Sequence, residues 1–260
     1  MKLIVDLGAN TGKNLPYYLS KAEKVVAVEA NPALAASLMK EFATQIESGK
    51  LHIENKCITS SDFRNQSVDF YIHRYHSGLS RFPAPDKHTG DFKKIQIPAC
   101  SYPDLTEKYG KPDMVKIDLE GADLLILNSI LASNQIPDYI SVENWGLPVL
   151  TALLEKKIFS SFNLVSFYNF KSIYGYSGID TAGPFGADIK SPWLNQSHIL
   201  DLYHQIPDPW FDIHASVTPY PMGKIDLAYY KKTFNLLLWL KSLLPHQLKS
   251  RIKDLTGFSR

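Results

Sequence analysis

The stretch VDLGANTGKN, Val5 to Asn14, is a glycine-rich turn following an apolar strand. Such turns hold phosphorylated or nucleotide-like ligands. A nucleoside triphosphate loop needs the pattern G-x-x-x-x-G-K-[ST], whose terminal hydroxyl binds magnesium. Here Gly8 and Gly12 are one residue too close, and Asn14 stands where the hydroxyl belongs. A dinucleotide loop needs G-x-G-x-x-G, but Asn10 fills the middle position and no third glycine is correctly placed. S-adenosylmethionine has no pyrophosphate, so its turn need only approach a ribose and an amino-acid moiety. Gly8 permits the tight turn and Gly12 a close helix start. Asp6 can organise the loop amides or face the ligand's ammonium. Glu29, ending the second strand, can accept both ribose hydroxyls in a charge-assisted pair. A plain βα turn followed by a charged strand end would look the same in isolation, so the turn needs support from elsewhere.

That support comes from MVKIDLEGAD, Met114 to Asp123. Asp118 and Glu120 end a strand expected beside the first, and alternate strand residues share a face. Both carboxylates can therefore enter one cleft, with Gly121 allowing a sharp turn; the competing role for either acid is capping the next helix. Glu143, with Asn144 at the end of a later strand, can orient an acceptor or support a base. His73 and His76 offer an alternative base, although a surface hairpin suits them better. Asp118, Glu120 and Glu143 could also assemble an oxygen-rich magnesium site, but nothing in the sequence requires one, and no metal is assigned. Cys57 ends the third strand, where it either lines an adenine pocket with Ile58 or fills the core.

These residues carry a resemblance. VDLGANTGKN, the acid in VVAVEANP, KIDLEGAD and ISVEN together resemble the FkbM-type methyltransferases from about Leu3 to Trp145. The resemblance implies a Rossmann-like class I methyltransferase fold and S-adenosyl-L-methionine as cofactor. It also implies an acceptor hydroxyl on a glycan or natural product. Carried onto this chain, the cofactor set is Asp6, Gly8, Ala9, Asn10, Gly12, Asn14, Glu29, Ala30, Asn31, Cys57, Ile58 and Asp118. The catalytic candidates are Asp118, Glu120 and Glu143. Two departures bear on the pocket: the helical lead-in usual before the glycine loop is absent, and Asp123 replaces a Glu. AGPFGADIKSPWL and WFDIH are similar to stretches of some members. Methyl transfer is an in-line displacement, so the protein chiefly aligns the acceptor and removes its proton. An alcohol needs a positioned base for that.

These groups need a scaffold. Short apolar runs (KLIVDLG, KVVAVEAN, KLHIENKCIT, DMVKIDLEG, DYISVENWG) alternate with helical stretches such as PALAASLMKEFATQIE and ADLLILNSILAS. The alternation predicts an α/β fold, a mostly parallel sheet with helices on both faces. Ligands then bind beyond the carboxyl ends of the strands. SVDFYIH alternates like an exposed or antiparallel strand. We expect a core over 1–172, an irregular aromatic-rich region over 173–230 that completes the same domain or caps the acceptor, and basic amphipathic helices over 231–260. That last segment has seven Lys or Arg against one acid. It reads either as docking on the core or a second subunit, or as lying on an anionic membrane.

The whole chain of 260 residues carries a net charge of +2, which gives no case for nucleic acid as a partner. Two distant cysteines and a start unlike a signal peptide point to a reducing, cytoplasmic setting, peripheral to the membrane if the last helices touch it. The remaining functional classes are a catalytically silent methyltransferase-like partner in glycan assembly and an NAD-dependent oxidoreductase.

Overall fold

A computed structural model of the chain describes residues 1–166, 184–189, 191–206 and 211–224. Its centre is a seven-stranded sheet in the order β3-β2-β1-β7-β8-β10-β9. The strands are β1 (Leu3–Leu7), β2 (Lys24–Val28), β3 (Leu51–Glu54), β7 (Met114–Ile117), β8 (Tyr139–Glu143), β9 (Ser161–Ser166) and β10 (Phe211–Ser216). The first five in sheet order pair in parallel; β10 runs antiparallel to both neighbours. A second sheet, β4-β6-β5, stands beside the first, with β4 (Cys57–Thr59), β5 (Ser67–His73) and β6 (Phe92–Ser101). The helices are α1 (Leu15–Lys21), α2 (Pro32–Glu41), α3 (Ala43–Glu47), α4 (Tyr102–Tyr109), α5 (Asp123–Ala132), α6 (Leu147–Glu155) and α7 (Gln196–Gln205).

The two faces of the large sheet differ in chemistry. One is apolar: Leu3, Val5, Leu7, Val115, Ile117, Ile140, Val142 and Ile213 pack with side chains of α4 to α7. Near-continuous apolar strands are what burial on both sides requires. The other face takes Ile4, Val25, Met114 and Tyr139 against α1, α2 and the segment around Phe185 and Trp193. It also carries a row of polar residues in register across five strands: Asp6, Lys116, Ser141, His214 and Asn163. All five are buried.

Three expectations are corrected. KLHIENKCIT is two strands, because Asn55 turns the chain by donating from Nδ2 to the Glu29 carbonyl at 2.8 Å; Cys57 therefore begins β4 and joins the small sheet. The helix expected through Glu47 breaks at Phe42, whose ψ of 27° leaves the helical range. The region 173–230 is not irregular throughout, since α7 and β10 lie within it. Its aromatics Phe185, Trp193 and Phe211 are core residues. The segment 231–260 lies outside the described residues, as do 167–183.

Candidate active site

The glycine turn sits where the sheet's strand order reverses beside β1, the usual ligand position in open α/β sheets. Gly8 has φ +88°, and a Cβ there would overlap the Asp118 carbonyl. The turn and the β7–α5 loop can approach this closely only without a side chain. Gly8 and Ala9 donate their amides to the Val28 carbonyl at 3.0 and 3.1 Å. Asn10 adopts φ 49°, a left-handed conformation that Asn tolerates better than most residues.

Glu29 holds this turn to the end of β2. Its Oε2 accepts the Asn10 amide and its Oε1 the Asn31 amide, both at 2.7 Å. Each carboxylate oxygen keeps a further lone pair that a ligand hydroxyl can use. Burial pushes the Glu29 carboxyl above its usual range, and the two amides work the other way.

Across the cavity, Asp118, Glu120 and Glu143 bring carboxylate oxygens within 4.8 Å of one another, near enough to share a proton or a cation. The route differs from strand alternation, because β7 ends at Ile117. Glu120 is aimed inward by a left-handed backbone, φ 52°. Asp123 fixes that loop by accepting the amides of Leu119 and Gly121, each at 2.9 Å. No side chain caps α5; Asp123 ties down the loop before it, and Asp118 and Glu120 line the cavity. Trp145 donates from Nε1 to Glu143 Oε2 at 2.8 Å. Burial, followed by the charges of Asp118, Glu120 and Asp123, pushes Glu143 up to about 10. Burial and the same neighbouring aspartates raise Glu120 well above the carboxylate range. Crowded carboxylates cannot all ionise, so this cluster retains a proton at neutral pH.

Beneath this cluster lies Lys116, which the sequence reading did not single out. It is buried in β7, and its Nζ is 2.6 Å from Asp212 Oδ2 and 3.5 Å from Asp118 Oδ2. Burial opposes its charge, but Asp212 and Asp118 outweigh that and hold the ammonium above its usual range. Ser141 also donates to Asp212 Oδ2, at 2.9 Å. The signal available in sequence was a lysine inside an otherwise apolar strand.

Both sets of acids open onto one cavity of about 430 Å³, within the usual range for small-molecule sites. Of the expected residues, Asp6, Gly8, Ala9, Asn10, Asn14, Glu29, Ala30, Cys57, Ile58, Asp118, Glu120 and Glu143 line it. Gly12 and Asn31 stand behind the wall. A Cβ on Gly12 would strike the Leu38 side chain of α2, and Asn31 caps α2 by accepting the Ala33 amide at 3.1 Å. The outer wall comes from the β5–β6 hairpin, through Phe70, Ser77, Gly78, Ser80 and Phe82. Ser77 donates to Asn10 Oδ1 at 3.0 Å. No described residue of 184–224 lines the cavity; the rest of the expected aromatic cap lies outside the described residues. His73 and His76 do not line it either. His73 Nδ1 accepts the amides of Tyr75 and His76, and burial, with His76 nearby, lowers its pKa.

A mostly parallel sheet with an antiparallel strand near one end, a glycine turn at the switch point and facing acids define a Rossmann-like methyltransferase fold. The chain matches the family model of the methyltransferase FkbM domain over residues 6–157, and it belongs to that family. No curated protein matches the chain. Among solved structures, a methyltransferase FkbM from Methylobacillus flagellatus KT is similar at 13% identity and a TM-score of 0.47, over 82% of this chain and 43% of that one. M. capricolum TrmK, solved with S-adenosyl-homocysteine, is similar at 9% identity and a TM-score of 0.37, over 98% of this chain and 88% of that one. The chain thus spans less than half the length of the first of these. Among the described residues no helix is long and apolar enough to cross a membrane.

Proposed function

We propose that the protein is an S-adenosyl-L-methionine-dependent methyltransferase acting on a hydroxyl of a sugar, glycolipid or secondary metabolite. One observation carries the reading: Glu29, with lone pairs free beside the glycine turn, shares a single cavity with Asp118, Glu120 and Glu143. The cofactor, when bound, supplies an activated methyl group on a cationic sulfur. Glu29 would grip the ribose hydroxyls, and the apolar side chains of Ile58, Phe70 and Phe82 suit the adenine. Asp118 takes the acceptor's proton. Glu143, carrying the proton the cluster retains, donates a hydrogen bond that orients the acceptor oxygen.

Calorimetry with S-adenosylhomocysteine and NAD tests the cofactor. Binding of the first and not the second is the expected result; the reverse would overturn the reading in favour of a dehydrogenase. Mass spectrometry with isotope-labelled cofactor over a panel of hydroxylated acceptors then tests the chemistry. Asp118→Asn should abolish turnover while S-adenosylhomocysteine, which lacks the sulfonium charge, still binds. A catalytically silent protein would bind cofactor and label nothing.

A further inference from the structure

Lys116 is the one buried lysine among the described residues, and it lines the cavity. It contributes little as a structural device, since a buried ion pair is weak ground for stability and an apolar side chain of similar length would serve. Its surroundings are specific. Asp212 Oδ2 sits 2.6 Å from the ammonium, and Asp118 is next at 3.5 Å. Asp6 is its register neighbour on β1 and Ser141 on β8. Glu143 lies opposite Asp212 on the adjoining strands. Asp212 Oδ1 has no hydrogen-bond partner, so that carboxylate spends its contacts on Lys116 and Ser141.

The consequence is electrostatic. Resting on the methyltransferase reading above, the reaction removes positive charge from sulfur as the methyl group leaves with the acceptor's oxygen. Carboxylates crowded beside the sulfonium bind that charge before transfer and lose it during transfer. They would stabilise the ground state more than the transition state. A cation among them reduces that penalty. We propose that Lys116, held by Asp212, is a positioning residue that fixes Asp118 and sets the potential at the methyl-transfer centre, limiting how strongly the acids hold the cofactor's sulfonium.

The test compares S-adenosylmethionine, which carries the sulfonium charge, with S-adenosylhomocysteine, which does not. Affinities are measured by calorimetry at pH 8 on the full chain. Lys116→Met should shift the ratio of the two affinities toward S-adenosylmethionine by roughly tenfold, the scale of one charge felt through a partly polar medium. Asp212→Asn should shift it the opposite way by a similar factor. The double variant, which removes both charges, should return to within about threefold of the parent. A merely structural pair would weaken both ligands together, so parallel losses or an unmoved ratio would overturn the proposal. If Lys116→Met does not fold, the opposite sign in Asp212→Asn decides alone. A parent chain that binds S-adenosylhomocysteine but yields no such pattern sinks this inference only; one that binds neither ligand sinks the cofactor reading as well.

Discussion

Glu29 has two tasks that one substitution separates. Its oxygens accept the Asn10 and Asn31 amides, and they remain available to a ligand diol. Glu29→Gln leaves one oxygen as acceptor and turns the other end into a donor facing an N–H. We expect a loss of about 1–3 kcal/mol in S-adenosylhomocysteine affinity, since a buried donor is left unpaired and a charge-assisted bond is lost. Calorimetry reads this directly, and unchanged affinity would remove Glu29 from the ribose. The acid cluster makes a separate prediction, about pH. Glu143 titrates near 10 in the fold instead of the ordinary 4.5, so folding favours its protonated form. That contribution is complete below the unfolded value and is lost as pH rises toward the folded one. Thermal melts should therefore show wild-type stability falling between about pH 5 and 10. Glu143→Gln, neutral at every pH, should flatten the decline and be the more stable protein at the alkaline end. Parallel curves for the two proteins would refute the assignment.

At the level of elements, the cavity depends on two loops brought together by residues that carry no reacting group. Gly12, with φ +73°, passes beneath Leu38 of α2. Gly12→Ala should destabilise the chain by about 1–3 kcal/mol, through strain and overpacking. Combined with Leu38→Ala it should cost less than the sum of the single changes, with a coupling of roughly 1 kcal/mol in urea unfolding. Simple additivity would show that the collision is relieved elsewhere. Sequence reasoning could find the elements whose signal is local. The apolar runs of β1, β2, β7 and β8 and the position of Glu29 all follow from pattern and spacing. β10 alternates like a strand, Phe211, Ile213 and Ala215 against Asp212, His214 and Ser216; what pattern could not show is that the polar set is buried too. Their partners, Lys116, Ser141 and Tyr139, are about seventy residues or more upstream. The inward aim of Glu120 was hidden for a similar reason. It comes from a left-handed backbone held by Asp123, and only the folded loop contains that information. Of the hairpin that walls the cavity, SVDFYIH reads as a strand, but the contact with Asn10 spans 67 residues.

On the scale of the whole molecule, the site is built by the first half of the chain and stabilised by a piece of the second. Every described residue lining the cavity falls between Asp6 and Glu143, yet β10 is inserted between β8 and β9 and pairs with both. A chain ending after Lys224 keeps this strand, so it should fold and bind S-adenosylhomocysteine within about threefold of the full chain. A chain ending after Ile206 loses β10. The edge of β8 is then unpaired, and Lys116 is left buried beside the site without Asp212. An unpaired buried charge alone costs roughly 3–5 kcal/mol, a large part of the 5–15 kcal/mol that holds a typical domain together. The shorter chain should therefore fail to give a cooperative melt or a binding isotherm, although it retains every described residue of the cavity wall. Circular dichroism and calorimetry on the two truncations check this. A chain of 206 residues that still bound the ligand would mean that the cavity assembles without the strand that holds its buried lysine.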